Sequence, residues 1–283
     1  LNQLVEVYRR IRNTSRFLLA NVDGFDPARH SVSRENMLEI DRWAIDRVRR
    51  LAQRVIGAYR RYEFHHLFRD LHNFCAVDMG GFYLDAIKDR LYCDRADSPA
   101  RRSAQTALWE ILTTLVRLMA PVLVFTADEI WRHLPESGRT SESVHLERWD
   151  MAAPAEDEAF VRRWETLLEV RSHVTKALEE ARARDLIGSS TEAAITIKAP
   201  AAILEMLRSL QAQAAEALEE IFIVSKVNLE EHGSTGEGVQ VEVTRAPGGK
   251  CARCWRYSVE LGTAPEHPEL CPRCTSVVLD LVR

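Results

Sequence analysis

Four of the six cysteines stand in two Cys-x2-Cys pairs, Cys251 with Cys254 and Cys271 with Cys274, and 16 residues separate the pairs. Two such pairs 15–20 residues apart are a strong zinc signature. One tight turn aims both sulfurs of a pair at a single ion, and the second pair closes the tetrahedron. Four thiolates leave no open coordination position, so the expectation is one structural zinc ion rather than a catalytic one. The segment between the pairs is expected to form a short β-hairpin. The tail of about 35 residues holds few large apolar side chains and is expected to depend on metal to fold. A redox pair would be a single Cys-x2-Cys beside a βαβ pattern, which the doubling disfavours. His267, thirteen residues after Cys254 and next to Pro268, is a weaker alternative ligand. Cys75 and Cys93 lie alone in helical patterns and read as core residues.

Arg253, Trp255, Arg256 and Arg273 decorate the two pairs. Two readings stand side by side. Trp255 either closes over a small metal core or offers its face to an unstacked base, a contact worth ~1–3 kcal/mol per base. The charge pattern bears on the same question. The formal net charge is −4, yet residues 1–102 hold 19 basic against 14 acidic residues, and every basic one except Lys88 is arginine. Arginine's planar fork suits phosphates and base edges. The bland alternative is a solvated helical surface laced with ion pairs.

The elements that must position these groups are mostly helical. Apolar positions recur at helical spacing over residues 1–20, 33–60 and 63–79, with turn chemistry at 21–27 and an expected break at Gly80-Gly81. A short helix is expected over 82–92. Ser98-Pro99 opens a helix to about Ala120, and Pro121 kinks or restarts it as far as Leu134. After a polar linker at 136–142, one long helix is expected over 157–187, ended by Ile187-Gly188-Ser189-Ser190. The period then changes: a strand at 193–199, a helix at 201–220, and strands at 221–229 and 239–243 describe a small α/β unit.

Several stretches together resemble the C-terminal part of bacterial-type isoleucyl-tRNA synthetases. They are YRRIRNTSRFLLANVDGFDP (8–27), YEFHHLFRDLHNFCAVD (62–78), FYLDAIKDRLY (82–92), LVRLMAPVLVFTADEIW (115–131), IGSS (187–190) and KCARCW…HPELCPRC (250–274). They follow the family's order across essentially the whole chain. Valyl- and leucyl-type relatives share the helical part, and the zinc tail singles out the isoleucyl type. The resemblance implies a mainly α chain in four parts: a helical anticodon-binding bundle (1–145), a connecting segment with a long helix (146–190), a small α/β unit (191–247) and a four-cysteine zinc ribbon (248–283). It also implies contact with an isoleucine-accepting tRNA. Arg12 and Arg16 match the family's IRNTxRF stretch, on one helix face by their spacing, and Arg253 and Trp255 match its zinc knuckle.

Three departures qualify that reading. No HIGH-like or KMSKS-like motif, Gly-rich nucleotide loop or editing insertion occurs in the sequence. Catalytic and editing domains, with their ATP and Mg²⁺, are therefore expected in a portion outside this chain, which alone should charge no tRNA. The chain starts at Leu1 rather than Met, in keeping with a piece of something longer. Gly80-Gly81 stands where the family more often has Ser-type residues. Two other function classes remain: a DNA-binding zinc protein of the base-excision glycosylase type, for which Leu1 offers no amino-terminal proline nucleophile, and a purely structural zinc-stapled module.

Cysteine usage points to a reducing compartment, and the resemblance implies a cytoplasmic monomer. At 283 residues, 46% hydrophobic and 28% charged, the chain can bury a sizeable core. No apolar run approaches the roughly 20 residues of a membrane span.

Overall fold

The computed structural model describes residues 2–149, 153–154, 156–232 and 238–281; Leu1 and the last two residues of the tail lie outside them. Its contacts divide the chain into two compact units, Leu1–Leu91 with Ala96–Glu156, and Tyr92–Arg95 with Asp157–Arg283. Among the described residues, no helix is long and apolar enough to cross a membrane.

The first unit is built mainly from helices. They are α1 (Asn2–Asn21), α2 (Pro27–His30), α3 (Glu39–Arg60), α4 (Phe64–Asn73), α5 (Leu84–Ala86), α7 (Pro99–Met119) and α8 (Val124–Arg132). The longer ones carry an apolar stripe each, while α2 buries no residue. A further helix, α6 (Lys88–Cys93), runs from this unit into the next. On α3 the residues Ile40, Ala44, Val48, Leu51 and Val55 repeat every three or four positions and are all buried. They pack against α7, whose Leu108, Ile111, Leu112 and Leu115 are fully buried. Beneath this interface Asp41, wholly buried, accepts hydrogen bonds from Tyr83 Oη (2.8 Å), both Arg90 terminal nitrogens (2.9 Å each) and Ser103 Oγ. Such a pair is tolerable away from water because each carboxylate oxygen has donors. The chain interrupts after Met119, where Pro121 enforces a turn before α8.

The sequence-based break at Gly80-Gly81 does not occur. A π-helical run, Phe74–Tyr83, passes straight through both glycines and feeds α5. A Cβ on Gly80 would lie 3.2 Å from the Cys75 carbonyl oxygen, and one on Gly81 3.2 Å from that of Ala76. The glycines let the wider turn close on itself, so here they extend a helix rather than end one.

The second unit opens with α9 (Glu158–Ala183), which buries Phe160, Trp164, Leu167, Val170, Val174 and Leu178 as a single stripe. It stops four residues short of the expected end, because Asp185 takes the left-handed conformation (φ 56°) and turns the chain. Its stripe packs on a three-stranded sheet of β1 (Ala193–Ala199), β2 (Lys226–Glu231) and β3 (Gln240–Arg245) in the order β2-β1-β3. β1 runs parallel to β2 and antiparallel to β3; Ile195 and Ile197 face Val227 and Leu229 on one side, Val243 and Val241 on the other. The crossover is two helices, α10 (Ala201–Gln213) and α11 (Ala217–Phe222), where sequence periodicity suggested one. Ile221 and Phe222, read as the start of a strand, instead finish α11 and are buried there. Apolar content alone does not distinguish a buried helix end from a strand.

Candidate metal centre and nucleic-acid surfaces

The cysteine tail is built by two short devices. β4 (Gly249–Lys250) pairs antiparallel with β5 (Tyr257–Ser258), so the hairpin brackets the first cysteine pair instead of lying between the two pairs. Gly248 sits at φ 90°, and a Cβ there would come 2.2 Å from the Ser258 carbonyl oxygen, so only glycine fits. Within the turn Trp255 N donates to Cys251 O (3.0 Å) and Cys251 N to Arg256 O (2.9 Å). The second pair opens an unanticipated helix, α12 (Pro272–Leu281), with Pro272 at its first position and Thr275 N donating back to Cys271 O (2.9 Å).

These devices bring the four sulfurs of Cys251, Cys254, Cys271 and Cys274 within 4.8 Å of one another. Cys254 and Cys271 Sγ lie 3.9 Å apart, close to the ~3.8 Å edge of a tetrahedron with Zn–S bonds of about 2.3 Å. His267 is not in the cluster. Leu261 and Leu270 pack around it, and Cys251, Cys271 and Cys274 are buried. The donor set fits zinc in chemistry and spacing.

The charges agree. Burial disfavours the Cys251 thiolate, but the amides of Cys254, Cys271 and Arg253 point at its sulfur and bring its thiol down to about 6. The other three thiols are pushed upward. For Cys254 the main cause is its hydrogen bond with Cys274, followed by burial; for Cys271 it is burial and the neighbouring cysteines. Cys274 is helped by Cys254, but Cys93 and burial outweigh this and push it up to about 12. Crowding and burial thus disfavour four thiolates side by side, and a divalent metal would supply the opposing charge and favour release of the thiol protons.

The residues around the cluster part ways. Trp255 does not close over the metal site: it is 63% exposed, and Lys250 Nζ stands over it, 5.5 Å from the ring centroid. It also holds φ 64°, which directs the next amide, Arg256 N–H, at Cys254 Sγ. Arg253, by contrast, is engaged within the chain. Its guanidinium donates to the carbonyls of Cys93 and of Tyr92 (3.4 Å) and reaches Cys274 Sγ at 3.9 Å. Cys93 is buried as expected, but against the knuckle, with its Sγ 3.6 Å from Arg253 O. Nothing in the sequence pairs positions 93 and 253. Arg256 and Arg273 share the carboxylate of Glu216 at 2.9 and 3.6 Å, and Arg273 also reaches Asp94 at 3.6 Å.

In the first unit Arg12 and Arg16 project from α1, one turn apart and exposed, into an open cleft of about 330 Å³ bordered by Glu129 and Ile130 of α8 and by His133 just past its end. Arg12 pairs loosely with Glu129 at 3.5 Å. The Arg16 side chain has no ion pair or hydrogen bond among the described residues.

Residues 41–197 match the anticodon-binding domain of tRNA ligases. The chain belongs to that family. Residues 248–277 match a zinc finger found in FPG and IleRS, which frames all four clustered cysteines. Among curated relatives, isoleucine–tRNA ligase of Syntrophotalea carbinolica is 48% identical over 288 residues, covering 99% of this chain and 30% of its own length. The isoleucine–tRNA ligases of Carboxydothermus hydrogenoformans, at 48%, and Geobacter sulfurreducens, at 46%, match 99% and 98% of this chain and 30% of their own lengths. The chain thus spans under a third of the length of these relatives, and the family assignment rests on its helical part together with the knuckle.

Proposed function

We propose that this chain reads the anticodon of an isoleucine-accepting tRNA as part of an isoleucine–tRNA ligase. The observation that carries the proposal is Trp255, an exposed ring on a rigid four-cysteine turn in a chain whose relatives are isoleucine–tRNA ligases over nearly its whole length. Sequence-specific reading of RNA targets unstacked bases, which a fixed aromatic face holds well. Zinc, when bound, would fix the geometry of the turn and take no part in chemistry. Arg12 and Arg16, exposed on α1, would contact phosphates that set the register of the RNA. Arg253 acts as a positioning residue, because its fork is tied to the Tyr92 and Cys93 carbonyls.

Aminoacylation, with its ATP and Mg²⁺, would belong to catalytic and editing regions in a chain of the relatives' length; the 283 residues alone, monomeric and cytoplasmic in this reading, would charge no tRNA. The glycosylase alternative loses ground, since the helical part matches a tRNA-ligase family rather than a DNA-repair one. The test is titration of the zinc-loaded chain with unmodified tRNA transcripts for isoleucine, valine and methionine at near-physiological salt. Preference for the isoleucine transcripts that disappears when their anticodons are swapped supports the proposal. Equal binding to all three refutes anticodon reading by this chain, and affinity insensitive to salt refutes the phosphate contacts.

A further inference from the structure

Among the described residues, four non-glycine residues hold the left-handed backbone conformation: Tyr62 (φ 60°), Asp185 (φ 56°), Ile223 (φ 58°) and Trp255 (φ 64°). Tyr62, Asp185 and Ile223 each occupy the position just past a helix end. In each case the amide there and the next one bond back into the last turn; for Tyr62 these are Tyr62 N to Tyr59 O (3.1 Å) and Glu63 N to Ala58 O (2.9 Å). Glycine is the usual occupant, because a Cβ is strained in this conformation. Asp185 is a residue type that tolerates it, and Ile223 is partly buried beside Ile221, Phe222 and Val224. Neither explanation serves Tyr62. Tyr62 is 79% exposed, and among the described residues its one ring contact is edge-to-face with Phe64, at 6.2 Å and 85°. A bulky ring is thus kept in a glycine conformation and presented to solvent, as at Trp255.

The surroundings of Tyr62 carry the charge of an RNA surface. Residues 54–70 hold four arginines against two carboxylates. An open cleft of about 480 Å³ is lined by Arg54, Arg61, Glu63, His66, Arg69 and Asp70. Arg60 is exposed and has no ion pair or hydrogen bond among the described residues, and His66 Nδ1 is shut off from solvent without a hydrogen-bond partner. Backbone strain that neither burial nor residue type offsets marks a position held for another purpose. From it we infer that Tyr62 is a second stacking platform, which takes an unpaired nucleotide of the bound RNA while the neighbouring guanidinium groups meet the flanking phosphates. The inference rests on the tRNA-binding reading above and adds a site in the helical unit.

The conformation itself supplies the test, because glycine at this position should leave the fold intact. The zinc-loaded chain and its Tyr62→Gly, Tyr62→Phe and Trp255→Gly variants are titrated with isoleucine tRNA transcript, and their melting temperatures are compared. Tyr62→Gly should melt at or above the parent temperature yet bind tRNA about 5- to 150-fold more weakly, the range for loss of one stacked base. Tyr62→Phe should bind as the parent does. Unchanged affinity in Tyr62→Gly, with Trp255→Gly weakened, overturns the Tyr62 site alone and leaves the ring to a protein contact. Failure of the parent chain to bind any tRNA removes this inference together with the anticodon reading. Should Tyr62→Gly melt lower, ultraviolet crosslinking of the parent to tRNA decides: a nucleotide on the Tyr62 peptide supports the site, and crosslinks elsewhere but not there overturn it.

Discussion

The helical unit buries Trp131, Tyr83, Phe25, Phe74 and a set of aliphatic side chains to below 2% exposure, whereas the segment from Gly248 to Leu281 centres on Cys251, Cys271 and Cys274 with only Leu261 and Leu270 packed beside them. The first holds its shape through apolar area removed from water, at about 25 cal/mol per Å². The second has little such area, and metal–sulfur bonds would supply the order that packing does not. Function differs accordingly. A helix bundle can spread guanidinium groups over a wide face, and a metal-locked turn can hold a single ring where no packing supports it.

Removing the metal should separate the two regions most sharply. Chelation, or Cys274→Ser, is expected to abolish folding of the tail and the presentation of Trp255, since zinc contributes roughly 10–16 kcal/mol in small zinc modules. The α-helical circular dichroism of the first unit should survive. Global loss of helix on chelation would break the comparison. Next in size is Asp41→Ala, which strands the buried Arg90 guanidinium; about 3–5 kcal/mol should disappear from the helical unit's denaturant stability while zinc content stays constant.

A pH titration sharpens the comparison further. Burial raises the pKa of Glu156, but hydrogen bonds and charge from Arg42 (2.8 Å) and Arg34 (2.7 Å) outweigh it, and the carboxyl lies below its ordinary range. Because the folded-state pKa is the lower one, the stabilisation is complete above the unfolded value of about 4.3 and drains away as pH falls through the folded one. The melting temperature of the helical unit should therefore drop on acidification below about pH 4.3, with a shallower slope in Glu156→Gln. An identical slope in the variant would remove Glu156 from the account.

The smallest effects concern left-handed positions. Trp255→Gly should leave zinc content unchanged and stability equal or up to about 1 kcal/mol higher, while tRNA affinity falls. Asp185→Gly should shift stability by only a few tenths of a kcal/mol, because aspartate already tolerates the conformation. A large destabilisation at Asp185 would show that the side chain itself, not the turn, holds the end of α9.

Much of this architecture was legible in the residues. The apolar stripes of α1, α3 and α7 follow from spacing alone, as does β1 at 193–199, because an amphipathic period reflects which face must leave water. The gathering of the four cysteines was equally plain, since two closely spaced pairs at this separation suit a single ion. Elsewhere local signals misled. Gly80-Gly81 looks like a breaker until the carbonyls of Cys75 and Ala76 lie close by, and Ile221-Phe222 reads as a strand until it packs at the end of α11.

Sequence by itself determined the two cysteine pairs, the helical stripes and the residue types able to stack on a base or meet a phosphate, because those depend on neighbours along the chain. Tertiary structure alone decided which of these groups remain available. It tied Arg253 to carbonyls 160 residues away, and it left Trp255 and Tyr62 exposed in conformations glycine would adopt more easily. Whether a side chain packs or projects is set by the surface that reaches it from elsewhere in the fold, and local spacing carries no record of that surface.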